Sequence, residues 1–338
     1  MKTSKRISIK DVAVRAGVSY QTVSKILNGA ARFAPNTEER VRAAIRELGY
    51  KPHIYARNLR EQRSRMIGYS WVSGIQVNPI HDMFLVNMVA EAEAAGYHLL
   101  PFPYHEGDEM VAGYRELIDA GKVDGFVLSG VNYHDARVRY LLQRGFPFVP
   151  FGHAEPELEF PYVDVDGAAG LRMATEHLFS RGRRRVAILA WPENSRVGDD
   201  RLRGYLEALQ AAGLTPDPAL IMRGEGTFES ARALTLRWLD APAAERPDGI
   251  VALNDMMAIG AMQAARERGI TVGQDLGIVG FDDVPTAQYL WPALTSIRQP
   301  VATAGRHCVE ILVALLEGRE PSQRHVLLQP ELIVRASG

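Results

Sequence analysis

Two periodicities divide the apolar positions of this 338-residue chain. Near the N-terminus they recur at helical spacing. Ile9, Val12, Ala13 and Ala16 fall at i, i+3, i+4 and i+7, which predicts a short helix with one buried face, ended by Gly17. Ser19 is then placed to cap a second helix whose inward face is Val23, Ile26 and Leu27, closed by Asn28-Gly29. A third helix is expected from Asn36, with Glu39 completing a capping box and Val41, Ala44, Ile45 and Leu48 as the buried stripe before Gly49. From Met66 onward the pattern changes to short apolar runs separated by helix-length segments. Strands are predicted at Met66–Val72, Tyr97–Phe102, Gly125–Ser129 and Phe148–Phe151, and after Val163 at Arg185–Trp191, Leu220–Arg223, Gly249–Leu253 and Leu276–Phe281. Helices fall between them, at Phe84–Ala95, Leu171–Arg181, Arg201–Ala212 and Met256–Arg268. Such alternation predicts parallel sheets covered on both faces, and two successive sets predict two α/β lobes with a ligand between them at the carboxyl ends of the strands.

Charge sharpens this division. Fifteen Lys and Arg stand against five Asp and Glu up to Arg65, a net of +10, whereas the whole chain is −1, leaving −11 for the rest. A basic segment with helical patterning, joined to an acidic body, points to a folded head that meets a polyanion. Cys308 is the single cysteine, so an intramolecular disulfide and a cysteine-based metal site are excluded, and no metal or cofactor is expected. The chain has no run of about eighteen apolar residues, and its basic start lacks a hydrophobic signal core, so a cytoplasmic protein without a membrane partner is expected.

Two short helices joined by a Gly-containing turn and braced by a third form a helix-turn-helix. The outward face of the second helix carries Ser19, Tyr20, Gln21, Ser24, Lys25 and Asn28, groups able to bond base edges or phosphates in a major groove. The run Ile9–Gly29 resembles the headpiece of the lactose repressor family of bacterial transcription regulators. Tyr20-Gln21-Thr22 matches a reading triplet of that family, with Lys25 where an Arg can stand, so a bidentate guanine contact becomes a point-charge contact. The resemblance implies a hinge helix over Tyr55–Arg60 that folds on DNA and presses Leu59, beside Ala56, into the minor groove; His53 stands where the family commonly has Asn. It extends to Arg201-Leu-Arg-Gly204-Tyr205, Asn254-Asp255, Gly280-Phe281-Asp282-Asp283, Leu294–Pro300 and Glu331–Arg335, and so covers nearly the whole chain.

The implied organisation is a helix-turn-helix headpiece over residues 1–52, a hinge over 53–64 and a periplasmic-binding-protein-like effector body over 65–338. Its N-lobe is expected at about 65–162 and 292–322 and its C-lobe at about 163–291 and 323–338, with crossings near Tyr162, Trp291 and Ser322. By family position Arg201, Asn254 and Asp282 are effector contacts. Trp71, Trp191 and Trp291 can either cover a sugar ring or pack in a core, and His153, just past a strand end, is a further candidate. Asp255 and Asp283 read as helix caps or inter-lobe hydrogen bonds, and His81 is given no role. The expectation is a non-enzymatic, ligand-controlled DNA-binding repressor of sugar-utilisation genes, binding a pseudopalindromic double-stranded operator as a homodimer, because the leucine-repeat tail of tetrameric relatives does not follow the last strand. The alternatives are a purine or nucleoside effector or co-repressor in the same site, a sugar-binding transport component, and a sugar-active enzyme; the basic head speaks against the second, and the lack of a phosphate loop, His-Glu metal pair or nucleophile elbow against the third. Leu59→Ala is expected to weaken specific operator binding by about 1–3 kcal/mol and to leave ligand binding intact; an unchanged operator affinity in a titration would remove the wedge.

Overall fold

A computed structural model describes residues 7–27, 33–50, 63–71, 79–105, 107–155 and 157–338, which divide into two units, Met1–Ser64 and Arg65–Gly338. The hinge candidates Ala56 and Leu59, and Asn28 of the head, lie outside the described residues, as does the Trp71 side chain.

The first unit contains α1 (Ile9–Ala16), α2 (Tyr20–Leu27) and α3 (Pro35–Leu48). Ser8 and Asp11 cap α1 reciprocally: the Asp11 carboxylate accepts from the Ser8 N–H at 2.7 Å, and Ser8 Oγ accepts from the Asp11 N–H at 3.4 Å. Gly17 ends α1 at φ 64°, a left-handed cap whose N–H bonds back to Ala13 and Val14. Arg40 of α3 then donates to the Ala16 carbonyl at 2.5 Å and to the Gly17 carbonyl at 3.3 Å, so the third helix locks the turn between the first two. The expected Asn36–Glu39 capping box does not form. The helix starts one residue earlier with Pro35 in its first turn after Ala34, since a fixed φ and a missing N–H suit that position without a side-chain cap. Val12, Val23 and Val41 meet at the centre of the head with no exposed surface.

In the second unit β1 (Met66–Trp71), β2 (His98–Pro103), β3 (Gly125–Leu128) and β4 (Phe148–Pro150) form a parallel sheet of order β2-β1-β3-β4. Helices α4 (Pro79–Ala94), α5 (Ala112–Asp119) and α6 (Ala136–Arg144) separate its strands. Beyond its β4 edge, β5 (Tyr162–Val165) pairs with β11 (His325–Leu328) and touches Phe151 through Val163. The other sheet contains β6 (Val186–Ala190), β7 (Ile221–Arg223), β8 (Gly249–Ala252), β9 (Gly277–Asp282), β10 (Thr295–Arg298) and β12 (Glu331–Ile333), in the order β12-β10-β9-β8-β6-β7. All its pairings are parallel except β10 with β12. Its helices are α7 (Gly167–Ser180), α8 (Arg196–Ala211), α9 (Phe228–Leu239) and α10 (Asp255–Glu267), while α11 (Val301–Leu316) returns to the first sheet and packs Cys308 and Leu312 against Ile67 and Met88.

The strand pairing therefore puts the three crossings later than expected: at Asp166, at Gln299-Pro300 and at Gln329-Pro330 rather than near Tyr162, Trp291 and Ser322. The reason is local. Residues 295–298 extend the C-lobe sheet beside β9, and residues 162–165 and 325–328 run together on the N-lobe side. Among the described residues no helix is long and apolar enough to cross a membrane.

Helices α7 and α8 approach so closely that a Cβ at Gly204 would lie 2.0 Å from the Ala168 carbonyl oxygen. Gly204→Ala is thus expected to destabilise the body by about 1–3 kcal/mol through forced backbone separation. Urea unfolding should show a lower midpoint with an unchanged slope; an unchanged midpoint would mean the contact yields freely.

Candidate functional site

In the head, Ser19 Oγ accepts from the Thr22 N–H at 3.1 Å and so starts α2. One face of α2 turns Val23 and Ile26 into the core. The opposite face leaves Tyr20 53 % exposed, with Gln21 and Lys25 exposed and Ser24 half-buried at its side. Ser19, Tyr20, Gln21 and Lys25 thus form one accessible surface at the start of a helix, carrying hydroxyl, amide and ammonium groups and no carboxylate.

The body holds the other candidate, a cavity of about 160 Å³ between the two sheets at the carboxyl ends of their strands. Arg201 of α8 is its most constrained wall. The guanidinium lies 3.7 Å from the centre of the Phe281 ring and 5.1 Å from that of Trp191, donates to the Leu253 carbonyl and stands 4.0 Å from the Asp282 carboxylate. Asp282 ends β9 and accepts from the Gln299 amide at 2.7 Å, across from the crossing that follows β10. Burial pushes the Asp282 carboxyl up to about 6, against the opposing charge of Arg201 and the Gln299 hydrogen bond. Burial likewise lowers the Arg201 guanidinium from its ordinary value, while the Asp282 charge raises it. The Arg201 Nε and the Trp191 Nε1 are buried and have no hydrogen-bond partner among the described residues. Two N–H donors are thereby left for an acceptor that enters the cleft.

A second polar cluster bridges the lobes. Asp164 of β5 bonds His153 at 2.6 Å and faces the Arg196 guanidinium at 3.3 Å, which also contacts the His153 ring. Arg196 opens α8, and its N–H donates to Asn132 Oδ1 at 2.8 Å from the loop after β3. The wall on that side is itself braced: buried Arg137 donates to the carbonyls of Ser129 and Gly130 and forms a bidentate pair with Asp135 at 3.0 and 2.6 Å.

Of the residues expected here, Arg201, Asp282 and Trp191 line the inner cavity, and His153 supports it through Asp164 and Arg196. Asn254 lines a neighbouring cavity, but its amide is already engaged: Oδ1 accepts from Met257 N at 2.7 Å and Nδ2 donates to the Gly226 carbonyl at 2.9 Å. Trp291 is corrected: it is 99 % exposed and borders neither cavity, because the crossing it was expected to mark lies at Gln299-Pro300. Asp255 accepts from Ser296 Oγ at 2.5 Å and Val284 N at 2.8 Å, and Asp283 pairs with Arg298 and Arg335, so both hold the C-lobe together internally. Sequence reasoning missed His81, Ser129, Asp164, Arg196, Asp200 and Gln299, all of which line the inner cavity. Gln299 and Ser129 sit at positions the strand pattern could have flagged; Asp164 belongs to a four-residue strand that left no apolar signal.

Comparison with known proteins decides the family. The model of bacterial regulatory proteins of the lacI family matches residues 8–53, and that of the periplasmic binding protein-like domain matches residues 175–338. The HTH-type transcriptional regulator CelR of Thermobifida fusca is 33 % identical over the full length of both chains. The chain belongs to the LacI family. It is a ligand-responsive transcriptional regulator, and its LacI-family relatives are regulators rather than enzymes. Among solved LacI-family structures, a regulatory protein from Chloroflexus aggregans is 59 % identical over 81 % of this chain and 98 % of that one, with a TM-score of 0.78. A CelR–cellobiose complex is 31 % identical over 98 % of this chain and all of that one, at 0.76. The lac repressor dimer bound to operator and an anti-inducer is 27 % identical over 98 % and 99 %, at 0.85.

The raised Asp282 pKa carries a sign. Below the unfolded carboxylate value both states hold the proton; as pH rises towards 6 the unfolded chain loses it first, so stability falls and the loss is complete above 6. The unfolding free energy of the wild type relative to Asp282→Asn should accordingly fall by about 1–3 kcal/mol between pH 4 and 7, as urea titrations at stepped pH would read. A flat difference would show that Asp282 ionises at its ordinary value.

Proposed function

We propose that this LacI-family regulator is a cytoplasmic repressor that binds a pseudopalindromic operator as a homodimer and takes a neutral sugar in the cleft of its body. The observation that carries the sugar reading is the chemistry of the inner cavity. Asp164, Asp200, Asp282 and Gln299 offer acceptors and Arg196 and Arg201 offer donors, with apolar Ile80, Phe84 and Val131 between them. Vicinal hydroxyls both donate and accept, and a ring's C–H surface is covered by apolar groups, so this mixture suits a polyol. A purine calls for free aromatic faces, and here the Arg201 guanidinium already lies over the rings of Trp191 and Phe281. The cellobiose complex of the relative CelR supports the same reading.

The head supplies the DNA side. Gln21 pairs with an adenine edge in this proposal, Lys25 with a guanine or phosphate, and Tyr20 and Ser19 with the backbone, while Leu59 and Ala56 act in the minor groove. A homodimer sets two heads on successive major-groove faces. The operator-bound lac repressor dimer supports this arrangement, as do the exposed Val86 and Val89 on α4, which offer apolar surface for a second copy. A sugar that favours one lobe arrangement shifts operator affinity only by its differential affinity for the two arrangements.

An operator selected from random duplexes should be pseudopalindromic. Against it, Gln21→Ala is expected to cost about 1–3 kcal/mol and to relax specificity at one position per half-site, with non-specific DNA affinity preserved. An unchanged specific-to-non-specific ratio in fluorescence anisotropy would contradict the assignment.

A further inference from the structure

We propose that the effector cleft has a second subsite, in the cavity beyond Trp191, that takes a further neutral sugar ring and rejects an anionic one. This rests on the sugar reading above. The second cavity measures about 770 Å³ against about 160 Å³ for the inner one, and both are walled by Trp191 and Asp282. They are thus two compartments of one cleft, joined at an indole and a carboxylate. A single ring seated in the inner compartment leaves the outer one to solvent. A two-ring sugar has its linkage at Trp191, where the indole N–H is buried without a partner and is available to a hydroxyl, ring or linkage oxygen.

The outer compartment has a built floor. A Cβ at Gly226 would lie 2.9 Å from Trp191 Nε1 and 3.0 Å from Asn254 Nδ2, so only glycine lets this loop approach the indole so closely. Asn254 holds the loop there by donating to the Gly226 carbonyl at 2.9 Å. The Thr227 hydroxyl accepts from Ser230 N at 3.2 Å and starts α9 at the same place. Met256 supplies an apolar wall for the C–H face of a ring.

Charge then sets what the second ring can carry. Glu225, Glu229 and Asp282 line the outer compartment, and its described lining includes no Lys or Arg. Carboxylates accept from sugar hydroxyls, but they repel a phosphate or uronate within a Debye length of about 8 Å at physiological salt. The inner compartment differs, since Arg196 and Arg201 offset two of its three carboxylates.

Calorimetric titration of the full-length protein tests this with glucose, galactose and xylose, with cellobiose, lactose, maltose and xylobiose, and with maltose 6′-phosphate. One two-ring sugar should bind at least about tenfold more tightly than its component rings. Met256→Trp, which fills the outer compartment and touches nothing in the inner one, should reduce that advantage to less than about threefold and leave the single-ring affinity unchanged. Maltose 6′-phosphate should bind at least about tenfold more weakly than maltose, and the surface double variant Glu225→Lys with Glu229→Lys should recover most of that loss. A single ring that binds as tightly as any two-ring sugar, or a two-ring advantage that survives Met256→Trp, overturns the second subsite and leaves the sugar reading standing. Binding of adenine or guanine with no response to any sugar overturns the sugar reading itself, and so does silence across all the sugars.

Discussion

A guanidinium cannot be taken out of water unless its charge and its N–H groups find partners, and Arg201 has been taken out almost completely. Its surroundings follow from that demand. The Leu253 carbonyl beyond β8, the Asp282 carboxylate at the end of β9, the Phe281 ring and the Trp191 ring after β6 all converge on one side chain of α8. Even so, one N–H remains unanswered, and the carboxylate that should neutralise the charge has its own pKa raised by the same burial. An arrangement this costly, with a donor left over, is stabilised further by a ligand that supplies the acceptor.

The topology explains why the demand can be met at one place. Parallel strands end on the same side of their sheet, so the residues that follow them gather at one edge. Three crossings bring the carboxyl ends of two such sheets against each other. Asp164 approaches from the strand before the first crossing, and Gln299 sits on the second. The Asp164, His153 and Arg196 cluster ties β5 to the start of α8 beside that cleft. Groups from both sides of the crossings therefore face the same small volume, and occupancy of that volume bears on how the lobes close.

Much of this was legible in the residues. The head could be read because three short helices with clear apolar stripes and glycine stops leave few alternatives. Parallel strands buried on both faces appear as unbroken apolar runs, and the eight expected strands recur within a residue or two. What stayed hidden was short or remote. Strands 162–165, 295–298, 325–328 and 331–333 have three or four residues each, too few to carry a period, and β5 finds its partner β11 more than a hundred residues away. The lobe boundaries were misplaced for that reason. Among site residues, Arg201, Asp282 and Trp191 were readable from strand ends and a familiar motif. Asp164, Arg196 and Asp200 could be found only once the two lobes were set face to face. Trp291 misled because an aromatic residue beside a proline looks the same in a sequence whether it lines a cleft or stands in solvent.

The central claim is that a sugar in the cleft and an operator on the head are coupled through one molecule. Coupling of two binding equilibria is reciprocal, which makes it measurable from both ends. The most direct test takes the tightest-binding sugar and a selected operator and determines each affinity with and without saturating amounts of the other. The account predicts that both change by the same factor, on the order of 5–150-fold. Two affinities each indifferent to the other ligand would contradict it, and the cleft would then bind sugar without governing DNA.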